Sequence, residues 1–163
     1  MKISEKIQEA INRQINAELY SSYLYLAMAN HFDYENLDGF AGWMKVQASE
    51  EVKHAMRFYE FVNEREGNVS FSDIKAAKTS WKSAADIFKD SYAHEQKITK
   101  MIYDLKELAD KEKDYATSEM LNWFVKEQVE EEASAKKILD KLESIGSDKA
   151  GLYLLDRELT ARK

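Results

Sequence analysis

Four long amphipathic segments of this chain each break their apolar stripe with acidic, amide or imidazole side chains, and each break falls near the segment's midpoint. The interruptions are Glu18, then Glu51 with His54, then Glu95, then Gln128 with Glu131. Around them, residues such as Ile7, Ile11, Ile15, Ser22, Tyr25 and Ala29, or Leu121, Phe124, Ala135, Ile138 and Leu142, recur at the spacing of a helix with one buried face. Helices of similar length packed side by side share a midpoint level whichever way each runs. The interrupting side chains then meet inside the bundle. A buried, unpaired carboxylate costs several kcal/mol even after relaxation, and facing carboxylates raise each other's pKa. Two multivalent cations reverse both penalties, so the pattern predicts a metal centre.

The composition suits such a bundle. There is no proline and only five glycines, with 44% hydrophobic and 33% charged residues. At 163 residues the chain is read as one domain, 1–163, with a substantial core. Helices are expected at about 4–33, 40–66, 81–109, 115–143 and 148–159, with Ser4 as the first N-cap and Gly67 ending the second in C-cap style. The short polar connection Asp33 to Gly39 makes the first two helices antiparallel neighbours. Asn68 to Ser80, if extended, can span roughly 40 Å, close to the length of a thirty-residue helix at about 1.5 Å per residue. The third helix then runs parallel to the second. The expected fold is all-α: an up-down-down-up four-helix bundle with one long crossover connection and a short C-terminal fifth helix.

Several functions are set aside on the same grounds. The absence of cysteine excludes disulfides, zinc–thiolate sites and cysteine-ligated iron–sulfur centres. No apolar run reaches membrane-spanning length, and Met1-Lys2-Ile3-Ser4-Glu5-Lys6 lacks the core of a secretory signal. A net charge of −6 weighs against nucleic acid. The expectation is a cytoplasmic protein with neither membrane nor nucleic-acid partner.

Oxygen-rich coordination with a single imidazole suits iron or manganese better than copper(I) or structural zinc. Glu51 can bridge two ions through its two oxygens, with Glu18 and His54 completing the first ion and Glu95 with Glu131 the second. Gln128 is either a ligand or a hydrogen-bond donor to one. Open coordination positions leave room for water or dioxygen, so redox chemistry follows. His94, about 100° around its helix from Glu95, is left outside the site. His31, near a helix C-terminus, is assigned to the dipole rather than to metal.

The strings Asn16-Ala17-Glu18-Leu19-Tyr20-Ser21-Ser22-Tyr23-Leu24-Tyr25, Glu50-Glu51-Val52-Lys53-His54-Ala55 and Glu127-Gln128-Val129-Glu130-Glu131-Glu132 resemble those of prokaryotic non-haem ferritins. Gly151-Leu152-Tyr153-Leu154-Leu155-Asp156 is similar to that family's short fifth helix, so the resemblance covers essentially the whole chain. It implies the ferritin-like fold and an iron-storage protein with ferroxidase activity. Such a protein oxidises iron(II) with dioxygen or hydrogen peroxide at a di-iron centre and stores iron(III) as a mineral inside a homo-oligomeric shell of twenty-four subunits. By that resemblance Glu18, Glu51 and His54 form the first iron site. Glu51, Glu95 and Glu131 form the second, with Gln128 beside it, and Glu50, Glu127, Glu130 and Glu131 correspond to a third. Tyr25 matches a tyrosine that donates a hydrogen bond or an electron to the centre, with Trp123 a nearby aromatic candidate.

Val52 stands where haem-binding bacterioferritins carry a Met ligand, so no haem is expected; those proteins also have a second Glu-x-x-His where this chain reads Gln128-Val129-Glu130-Glu131. Rubrerythrins usually append a cysteine-ligated iron module, which this chain lacks. The rival readings are a di-iron peroxidase or oxidase without mineral storage, a mini-ferritin of the starved-cell DNA-protecting type, and a non-catalytic helical assembly module. A mini-ferritin places its ligands at subunit interfaces, whereas here one bundle carries a complete set.

Overall fold

Ser4 accepts a hydrogen bond from the Ile7 amide and opens α1 (Glu5–Tyr34), the cap that the sequence suggests. The computed structural model describes residues 1–162; Lys163, the last residue of the expected domain, lies outside them. The other described helices are α2 (Asp38–Glu64), α3 (Ala84–Lys111), α4 (Tyr115–Ile145) and α5 (Lys149–Leu159). Side-chain caps from Ser83, Asp114 and Asp148 start the last three. The third helix therefore begins three residues after the expected Trp81, whose indole N–H instead reaches Asp90 Oδ2 at 2.7 Å.

Gly67 does not supply the left-handed residue expected at the end of α2. Glu66 adopts it, with φ +54°, as Asn36 and Lys113 do after α1 and α3. In each case the next amide closes onto the carbonyl five residues back, at 3.0 Å (Leu37 to Phe32), 2.9 Å (Gly67 to Val62) and 2.9 Å (Asp114 to Ala109). Gly67 is needed for space instead: a Cβ there would sit 2.8 Å from both Ile3 Cγ2 and Val62 Cγ1.

The crossover between α2 and α3 runs the length of α1. Asn12 Nδ2 donates to the Asn68 carbonyl and Ser70 Oγ, Asn16 Nδ2 to the carbonyls of Ser72 and Asp73, and the Trp81 ring ends 5.9 Å from His31. It delivers α3 beside the start of α2, where the Phe88 ring lies 5.3 Å from Trp43 and 6.0 Å from Phe40. Helices α2 and α3 are thus parallel, and the up-down-down-up bundle with a short fifth helix is the fold observed. No helix among the described residues is long and apolar enough to cross a membrane.

Two apolar clusters fill the two ends of the bundle. One gathers Met28, Phe32, Phe40, Met44, Phe88 and Leu139; the other Ile7, Ile11, Phe58, Ile102, Leu121 and Phe124. The polar interruptions lie between them, sealed from water at both ends. α5 docks through Leu155 and Leu159, and Asp156 Oδ1 accepts the Phe40 amide at 2.9 Å. A Cβ on Gly39 would stand 1.7 Å from the Asp156 carbonyl oxygen, which only backbone movement relieves. Gly39→Ala should therefore push α5 off α2 and cost about 1–3 kcal/mol. Chemical denaturation gives the loss, and faster amide exchange along α5 locates it; a variant with wild-type stability would refute the contact.

Candidate dinuclear metal centre

The structure brings Glu18 from α1, Glu51 and His54 from α2, Glu95 from α3, and Gln128 and Glu131 from α4 to one level of the bundle, all buried. Ligand-type atoms of Glu18, Glu51 and His54 lie within 4.8 Å of one another, as do those of Glu51, Glu95 and Glu131. Glu51 belongs to both groups. In α2 the i, i+3 spacing of Glu51 and His54 aims both inward. His54 Nδ1 stands 3.3 Å from Glu51 Oε2, too poorly angled for a hydrogen bond, and is left without a partner. Glu18 Oε2 is likewise buried and unbonded. Buried polar atoms are normally satisfied, and these two unbonded atoms belong to residues whose ligand atoms converge within 4.8 Å, an arrangement a cation fits.

Electrostatics agrees with the geometry. Burial pushes the Glu18 carboxyl well above the usual range, and neighbouring Glu51 pushes it further. Glu51 is raised by burial and then by Glu95 and Glu131. Burial lifts Glu95 to about 6 and Glu131 to about 7. Burial and mutual repulsion hold all four carboxyls above their usual range, so metal binding there is coupled to proton release.

Three amides orient these acids. Gln14 Nε2 donates to Glu18 Oε1 at 2.7 Å, leaving Oε2 free. Gln47 Nε2 reaches Glu51 Oε1 at 3.1 Å and Glu131 Oε2 at 2.6 Å. Gln128 Nε2 donates to Glu95 Oε2 at 3.1 Å and to the Glu95 carbonyl at 3.3 Å, so its donor end serves Glu95. Sequence reading passed over the role of Gln14 and Gln47. The signal was present: an amide four residues before each of the first two carboxylates, the spacing at which helical side chains meet.

Tyr25 is fully buried, and its hydroxyl donates to Glu95 Oε1 while lying 3.2 Å from Ser91 Oγ. Burial and then the Glu95 charge raise its pKa, so the phenol keeps its proton. The group carried over for a third site is gathered in part. Glu127 approaches His54 Nε2 at 3.9 Å and groups with His54 and Glu131, but Glu130 is exposed and outside the groups found among the described residues, and Glu50 pairs with Arg162. A cavity of about 520 Å³ at the surface, lined in part by Glu50, Lys53, His54, Arg57, Trp123 and Glu127, borders the centre at His54. Trp123 lies edge-on to His54 at 5.5 Å, with the Arg57 guanidinium 4.2 Å over its ring. His94 stays outside the ligand groups: its Nε2 is 2.7 Å from Ser21 Oγ, and burial lowers its pKa to about 4.

The Ferritin-like domain family matches residues 8–145. The bacterial non-heme ferritin of Staphylococcus haemolyticus is 43% identical over 160 residues, covering 98% of this chain and 96% of its own. That of Staphylococcus aureus is 41% identical over the same shares. Among solved structures, the open pore ferritin of the hyperthermophilic archaeon Archaeoglobus fulgidus superposes with a TM-score of 0.98 at 51% identity, covering all of both chains. Its engineered closed form superposes equally well, covering 99% of each. With a family match across most of its length and relatives this similar end to end, the chain belongs to the ferritin family.

Proposed function

We propose that this chain is an iron-storage protein with ferroxidase activity whose dinuclear centre lies within its own bundle. Iron(II) is the substrate. Glu18, Glu51 and His54 hold one ion, Glu51, Glu95 and Glu131 the other, and the shared Glu51 bridges them. The observation that carries the reading is the overlap of the two ligand groups at Glu51, buried between four helices with Glu18 Oε2 and His54 Nδ1 unsatisfied. Iron arrives through the cavity beside His54 and Glu127. On loading, Glu95 and Glu131 release their protons, so binding weakens as pH falls below about 7. Two iron(II) ions each give one electron, and dioxygen takes both with two protons to leave hydrogen peroxide; with peroxide as oxidant the product is water. Tyr25, protonated and bonded to Glu95, fixes that carboxylate's direction and can give up an electron only if its proton passes to Glu95.

Iron(III) then hydrolyses, because a trivalent cation strongly acidifies bound water, and the product leaves to mineralise. The shell is a homo-oligomer, twenty-four subunits by analogy with the family, working in the cytoplasm. Glu127, with His54 and Glu131, supports a third iron position. The assembled protein offered iron(II) in air should store on the order of hundreds of ions per particle; uptake stopping near two per subunit would point to the di-iron redox enzyme instead. His54→Ala should weaken iron at the Glu18 side by more than the roughly 10–100-fold that loss of an outer hydrogen-bond partner costs. Normal occupancy there in anomalous diffraction would remove His54 from the ligand set.

A further inference from the structure

Gln47 is fully buried, and its amide spans Glu51 and Glu131, the two carboxylates that each belong to two ligand groups. An amide has almost the same shape after a half-turn about its last bond, but the turn exchanges donor and acceptor. Flipped, Gln47 would press Oε1 against both carboxylates and spoil both ion sites at once. The group bonded to the other end of the amide therefore bears directly on its orientation.

That group comes from the segment after α5. Arg162 Nη2 donates to Gln47 Oε1 at 2.9 Å, the same guanidinium pairs with Glu50, and it lies 4.3 Å over the Trp43 ring. A guanidinium donates and never accepts, so it accepts only one orientation of the amide. Stacking on Trp43 and pairing with Glu50 hold it in place. The register of this contact is set by α5, docked where Gly39 lets the Asp156 backbone approach α2. We propose that Arg162 is a positioning residue of the dinuclear centre: it locks the Gln47 amide so that its Nε2 donor, and not its oxygen, faces Glu51 and Glu131.

This inference rests on the metal-centre reading, and the test separates the two. Cobalt(II), whose visible d–d spectrum reports ligand number and geometry, is titrated into the assembled full-length protein, and iron(II) oxidation is followed alongside. Arg162→Ala should lower cobalt affinity and the oxidation rate by about 10-fold or more, the range for outer partners of metal ligands, and should alter the d–d bands. Arg162→Lys, which keeps one donor, should recover part of the loss. Gln47→Leu should reproduce the defect, and the Arg162→Ala, Gln47→Leu double variant should be no worse than Gln47→Leu alone. If Gln47→Leu does not assemble, Gln47→Met replaces it in the cycle. An unchanged cobalt spectrum and affinity in Arg162→Ala overturns the proposal, as do additive losses in the double variant, which would mean that Arg162 acts elsewhere. Failure of the unmodified protein to bind cobalt or iron would instead sink the metal centre itself.

Discussion

Glu51→Ala is expected to slow initial iron(II) oxidation on the order of 100-fold or more while the shell stays assembled, because the substitution removes the ligand common to both ions. Losing an outer hydrogen-bond partner of a ligand costs about 10–100-fold; losing the bridge itself should exceed that. The Glu51 side chain is 2% exposed and repelled by Glu95 and Glu131, so its deletion relieves an electrostatic cost in the metal-free protein. Thermal stability without metal should therefore hold or rise even as activity collapses. Stopped-flow absorbance of the iron(III) product and a thermal scan make the pair of measurements. A near-wild-type rate in an intact Glu51→Ala shell would overturn the bridging assignment.

The same buried acids set a pH dependence whose direction is unusual for a helical protein. A carboxyl with a raised folded pKa holds its proton more tightly folded than unfolded, so its stabilising contribution is present at low pH and is lost as pH rises through the folded value. For Glu95 and Glu131 that window runs from about 4.5 to about 6 and about 7, and Glu18 and Glu51 shift the same way. His94 opposes them: buried neutral with its pKa lowered to about 4, it contributes above its ordinary 6.5 and is lost as pH falls through about 4. Four carboxyls outweigh one imidazole. The metal-free protein should lose on the order of a few kcal/mol between about pH 5 and 7. A divalent metal at 100–1,000 times its pH 7 Kd should restore about 2.7–4.1 kcal/mol at pH 7, and the same concentration should restore less at lower pH, where more protons must leave. Denaturant unfolding with and without manganese(II) at pH 5, 6 and 7 tests this. Metal-free stability rising steadily across that range would contradict it.

Much of the fold was legible because its signals are local. Ser4 caps α1 as its sequence suggests, and the extended reach of the Asn68–Ser80 stretch anticipates a crossover that travels along α1. Helix ends were less so. The left-handed residue after α2 is Glu66 rather than Gly67, since the hydrogen-bonded end tolerates a side chain while the packing against Ile3 does not. Within the centre, the inward acids could be read from where they break the apolar period. Glu50, Glu127 and Glu130 adjoin the inward residues Glu51, Gln128 and Glu131 in sequence, yet their fates differ: one pairs with Arg162, one reaches His54, one faces solvent.

The sequence by itself determined which side chains face inward at mid-bundle, because the 3.6-residue period assigns a face to every position regardless of what packs against it. It also determined that oxygen donors with one imidazole line that level. Only the tertiary structure decided which oxygen of each acid is already engaged: Gln14, Gln47 and Gln128 each choose one, and Arg162, more than a hundred residues from Gln47 along the chain, orients the central amide. Those choices depend on distances of a few tenths of an ångström between separate helices, and periodicity along a single helix carries no information about the gap between two.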